Sequence, residues 1–96
     1  MLKSKYFDLG QLVMTFRVAD TLAEDVSFAR EVIAAVRRYC NMEWDEMCPE
    51  DRFINYRAII KGNDRIFASY KTSAGKIYII TESDRSATTV LFADEY

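Results

Sequence analysis

Three runs of alternating apolar and polar residues, 65–71, 76–82 and 87–92, follow one another at the end of this chain, separated only by the turns 72–75 and 83–86. A two-residue period places successive side chains on opposite faces of a strand, and turns this short join neighbours that run antiparallel. Ile66, Ala68 and Tyr70 share one face, as do Ile77, Ile79 and Thr81, and then Thr88, Val90 and Phe92. This meander restricts the fold more than any other feature, because the rest of the chain must cover it.

Before the meander, residues 11–16 read as another strand, β-branched and aromatic behind Gly10. Both of its faces are fairly apolar, which predicts a place inside the sheet. Thr21-Leu22-Ala23-Glu24 has the spacing of a capping box. Behind it Val26, Ala29, Val32, Ile33, Val36 and Tyr39 recur at helical steps, predicting one helix that ends near Tyr39. Pro49, Glu50 and Asp51 open a second helix with an apolar stripe of Phe53, Tyr56, Arg57 and Ile60, with Ile54 and Ala58 beside them, and Gly62 stops it. The resulting order is β-α-α-β-β-β. It predicts one α+β domain over residues 1–96, with a four-stranded, mainly antiparallel sheet and two helices packed on one of its faces.

Composition narrows the function classes. Half of the 96 residues are apolar and 29% are charged, which suits a folded globular chain rather than a disordered one. No apolar run reaches the roughly 18 residues of a membrane span, and Met1-Leu2-Lys3-Ser4-Lys5 has no apolar segment behind it, so a cytoplasmic protein without membrane partners is expected. Cys40 and Cys48 are then expected as reduced thiols. Their spacing is neither that of a redox pair nor that of a zinc ribbon.

The chain has no histidine. That removes the usual proton shuttle near neutral pH and the commonest metal ligand. No serine–histidine or cysteine–histidine pair can form, and no calcium-loop or phosphate-loop spacing occurs. No catalytic residue, metal or cofactor is therefore expected. The net charge of −2 comes with acids interleaved among the bases, so direct nucleic-acid binding is not expected.

Glu43, Asp45, Glu46, Glu50 and Asp51 put five carboxylates within nine residues, with Trp44 among them. These six residues are the candidate partner-binding site: an acidic surface for a basic protein partner, with Trp44 as an aromatic anchor. The same residues also suit a solvated loop in which Glu50 and Asp51 favour a helix start and Trp44 plugs the core. Arg37, Arg38 and Arg57 are the alternative contact set for an acidic partner. In the turn at 83–86, Asp84 and Arg85 fit local turn chemistry, with Arg85 near Glu82 or Asp84.

Several stretches resemble a family of small "plasmid-related" proteins carried on plasmids, phages and conjugative elements of Gram-positive gut bacteria. They are Gly10-Gln11-Leu12-Val13-Met14-Thr15, Ala23-Glu24-Asp25, Arg38-Tyr39, Trp44-Asp45, Glu50-Asp51, Ala68-Ser69-Tyr70 and Gly75-Lys76-Ile77, and above all Asp84-Arg85-Ser86-Ala87-Thr88-Thr89-Val90-Leu91-Phe92 with Glu95-Tyr96. Phe16-Arg17-Val18 departs from the wording of that family. The resemblance brings no catalytic residues. It implies an accessory protein of a mobile element, in its sharpest form an inhibitor of a host defence nuclease such as a Cas9-type effector, as anti-CRISPR proteins are. The other expectation is a regulatory or structural protein of plasmid maintenance that acts through homo-oligomers.

Overall fold

A computed structural model describes residues 2–96. Its elements are β1 (Gln11–Met14), α1 (Phe16–Glu24), α2 (Val26–Cys40), α3 (Pro49–Lys61), β2 (Ile66–Thr72), β3 (Gly75–Thr81) and β4 (Ala87–Phe92), with a closing 3₁₀ turn at Ala93–Glu95. The class is α+β as the sequence predicts, but with three helices rather than two. The sheet order is β1-β4-β3-β2; β1 runs parallel to β4 and the other pairs are antiparallel.

The extra helix arises where strand and helix propensities compete. Residues 11–16 predict one strand, yet β1 stops at Met14, because Thr15 keeps its N–H on Val90 O (3.1 Å) while its Oγ1 accepts from Val18 N (3.3 Å). That side-chain cap starts α1 at Phe16. Thr21 therefore lies inside α1, where its Oγ1 donates to Arg17 O, and the predicted capping box at Thr21 and Glu24 does not form. Asp25 caps α2 instead, with its Oδ1 accepting from Phe28 N at 3.1 Å.

A second correction concerns β1. The sequence predicts an interior strand, but parallel pairing to β4 leaves β1 at the sheet's edge. Gly10 makes that approach feasible. Its φ is +62°, and a Cβ there would overlap the backbone of Arg85 and Ser86, against which Gln11 N pairs.

The helix-facing side of the sheet carries the buried residues the alternation predicts: Ile66, Ala68, Tyr70, Ile77, Ile79, Thr81, Thr88, Val90 and Phe92. Against them α2 lays Phe28, Val32, Ala35, Val36 and Tyr39, with Phe28 stacked on Phe92 at 5.5 Å. Burial of each such aromatic stabilises the fold by about 1.5–3 kcal/mol. A polar thread crosses this core. Tyr39 Oη lies 2.7 Å from Thr81 Oγ1, Thr81 Oγ1 lies 2.8 Å from Thr88 Oγ1, and Thr88 donates to Leu9 O. Burial holds the Tyr39 phenol far above its ordinary pKa, so it stays a neutral member of that thread.

Arg85 ties the β3–β4 turn to α3. It sits at φ +61°, and its guanidinium donates to Ala58 O (2.9 Å), Asp64 O (2.6 Å) and Glu82 O (3.1 Å). These contacts take a carbonyl of the last turn of α3 and fix the helix end to the sheet. Arg85 thus meets backbone carbonyls rather than the carboxylates of Glu82 or Asp84, while Asp84 Oδ1 accepts from Ser86 N in a local turn.

Candidate partner-binding surface

The five carboxylates do not form one bare acidic patch. Arg38, projecting from α2, donates to Asp45 Oδ1 (2.7 Å) and to Glu46 Oε2 (3.1 Å), and its guanidinium lies 4.9 Å from the centre of the Tyr70 ring. The hydrogen bond from Arg38 holds the Asp45 carboxyl below the usual carboxylate range. The other Glu46 oxygen accepts from Lys71 N at 2.9 Å. Two of the five acids therefore serve to close the loop between α2 and α3 onto β2. Glu43, Glu50 and Asp51 are exposed and belong to none of the ion pairs among the described residues.

Trp44 is 1% exposed and packs at 5.1 Å from the Tyr56 ring. This corrects the reading of Trp44 as an exposed anchor: the indole plugs the core under the loop, and a partner reaches it only at the floor of a shallow hollow. That hollow, about 550 Å³, is lined by Arg38, Met42, Glu43, Trp44, Asp45, Arg52 and Tyr56. Its rim mixes both charges. The arginines of the alternative contact set do not converge. Arg38 is engaged in the loop, while Arg37 and Arg57 are exposed on different helices.

The surface the sequence reading missed is on α3. Phe53, Tyr56 and Ile60 were expected to face the core, but Phe53 is 61% exposed, Tyr56 40% and Ile60 83%, and Ile54 beside them is also exposed. The face turned inward carries Ala58, which the stripe included, and Asn55, which it did not. At 100° per residue those two lie opposite Phe53, Tyr56 and Ile60.

Asn55 supplies the reason. Its Nδ2 donates to Phe67 O at 2.7 Å and its Oδ1 accepts from Phe67 N at 3.0 Å, so one side chain satisfies both outward backbone groups of an edge residue on β2. Asn55 is itself 2% exposed, so its amide and the Phe67 groups it pairs with would be costly to leave without partners. This clamp fixes the rotation of α3, and Ala58 is small enough to let the helix lie close. A cleft of about 390 Å³, lined by Met47, Asp51, Ile54, Asn55, Asp64, Arg65 and Phe67, runs along the seam.

The outward surface of α3 is thus graded. Glu50 stands at its first turn, where the helix dipole favours it, with Asp51 turned toward the seam cleft; an apolar stripe of Phe53, Tyr56 and Ile60 follows, and Arg57 and Lys61 lie toward its end. Among the described residues no three of the cysteine, aspartate and glutamate side chains gather to hold a metal ion. Cys40 is buried, which raises its thiol pKa, and Cys48 is exposed. Comparison with family models, curated proteins and solved structures finds no match.

Proposed function

We propose that this protein is a non-catalytic binding protein that docks the outward face of α3 on a protein partner. The observation that carries this reading is the turning of Phe53 and Ile60 away from the core, at 61% and 83% exposure, with Tyr56, 40% exposed, beside them over Trp44. Solvating that much apolar surface on a short helix is unfavourable, and a hydrophobic stripe ringed by charge is the form interaction surfaces take. Glu43, Glu50 and Asp51 add unpaired negative charge at one end and select a partner with a basic rim.

The partner class we propose is a host defence nuclease of the Cas9 type, with inhibition inside the cell as the outcome. Two things support it. Such effectors hold nucleic acid in positively charged channels, which suit an acidic, apolar-centred ligand. The stretches that resemble the plasmid-related family suit an accessory gene of a mobile element.

The test is DNA binding and cleavage by a purified, guide-loaded effector titrated with this protein. Inhibition is expected, with Phe53→Ala plus Ile60→Ala weakening it about tenfold or more, as truncation of buried anchors does. Replacing Glu43, Glu50 and Asp51 by alanine should chiefly reduce its sensitivity to salt. A folded protein that leaves binding and cleavage unchanged defeats the nuclease reading. Inhibition untouched by the α3 variants defeats the proposed surface.

A further inference from the structure

The two edges of the sheet differ in a way the docking of α3 does not explain. On β2 the outward-facing residues are Phe67, Ser69 and Lys71, since Phe67 pairs with Asn55 and alternation sets the others. Asn55 closes Phe67, Glu46 closes the N–H of Lys71, and at the hairpin Glu31 takes the N–H of Ser73. Among the described residues Ser69 and the C=O of Lys71 are left, each beside a closed position. On β1, Gln11 N and Thr15 N bond to Ser86 O and Val90 O, so Leu12 and Met14 are the residues whose N–H and C=O point away from the sheet. No hydrogen bond reaches those groups among the described residues. No lysine, proline or inward charge deters pairing there, although proteins ordinarily guard such an edge.

We infer that β1 is the interface of a two-fold dimer, in which β1 of a second copy pairs antiparallel with it and the two sheets join edge to edge. Register selects a copy of this chain over a foreign strand. The outward residues Leu12 and Met14 lie symmetrically about Val13. A two-fold axis at Val13 sets Leu12 opposite Met14 of the second copy, and the reciprocal pairing satisfies the outward groups of both residues. Val13 then faces Val13 across the axis.

Length agrees with this choice. Gly10, at φ +62°, turns the chain at one end of β1 and Thr15 opens α1 at the other. An extended peptide would overrun both bends, whereas a second β1 is bounded by the same two. Charge agrees as well. Residues 11–15 carry none, so identical strands meet without like charges opposed. Phe16, 87% exposed, stands toward Gly10 of the second copy, where no side chain obstructs it.

The experiment is sedimentation equilibrium from about 10 µM to about 1 mM, a range suited to a small interface, on the unmodified chain and on Val13→Lys and Val13→Glu. The unmodified chain is expected to dimerise. Either variant alone, like charge against like charge, should weaken dimerisation about tenfold or more, and an equimolar mixture of the two should restore it. Hydrogen exchange on the unmodified chain provides the second reading: the amides of Leu12 and Met14 should gain protection about tenfold or more as concentration rises. A monomer throughout, or a dimer in which those two amides stay unprotected, overturns the inference. Either result leaves the docking of α3 untouched, since that is read by nuclease inhibition.

Discussion

Along β2 the outward N–H and C=O of Phe67 meet Asn55 and the N–H of Lys71 meets Glu46, whereas along β1 the outward groups of Leu12 and Met14 meet no side chain among the described residues. The same sheet is largely closed on one side and open on the other. The sealing side chains come from α3 and from the loop before it, so closing β2 also dictates how those segments sit. Asn55 cannot face Phe67 without turning Phe53, Tyr56 and Ile60 to solvent. The Arg38 guanidinium that holds Glu46 beside Lys71 also draws in Asp45. Edge protection and partner surface are two sides of one helix.

Breaking the Asn55 clamp should have the largest effect. Asn55→Ala leaves the N–H and C=O of Phe67 without partners in the seam and should cost about 2–4 kcal/mol in chemical denaturation. A loss below about 1 kcal/mol would mean that α3 is placed by something else. Arg38→Ala ranks next. It frees Glu46 from its post at Lys71 and should cost about 1 kcal/mol, while exchange of the Lys71 amide speeds up.

Acid probes the same closure with its sign fixed. The Asp45 carboxyl is held below its ordinary value by Arg38, so its contribution is present above the unfolded carboxylate value of about 3.9 and is lost as pH falls through the folded value. Stability in chemical denaturation should therefore fall as pH drops below about 4, and Asp45→Asn should remove that part of the pH dependence. On the open side, Met14→Lys should change the stability of the dilute monomer by less than about 0.5 kcal/mol, since Met14 is 39% exposed and no contact of its outer edge is lost.

What the sequence disclosed divides along the same line. The faces of β2, β3 and β4 are legible because alternation is local: Ile77, Ile79 and Thr81 are buried where the period puts them. The place of β1 is not, because its partner β4 lies at the far end of the chain and nothing within residues 11–16 says which strand it will meet. Helix α1 hides behind Phe16, an aromatic that extends the strand pattern until the Thr15 cap interrupts it. The wrong face for α3 has a similar cause. Its apolar residues lie all round the helix, and the choice among faces is made by a hydrogen-bonded pair between Asn55 and a strand twelve residues on. Of the candidate acids, the pairing of Asp45 and Glu46 with Arg38 needs the turn after α2, which carries no spacing signal. Glu43, Glu50 and Asp51 stay exposed as the charge run suggested.

The outward rotation of α3 is the claim on which the proposed function rests, and denaturation of Phe53→Ala and Ile60→Ala, at concentrations below any association, tests it directly. Side chains turned to solvent at 61% and 83% exposure should each cost less than about 0.5 kcal/mol when truncated. A loss of about 3 kcal/mol or more from either, as for a core residue, would place that face inside and contradict the surface proposed.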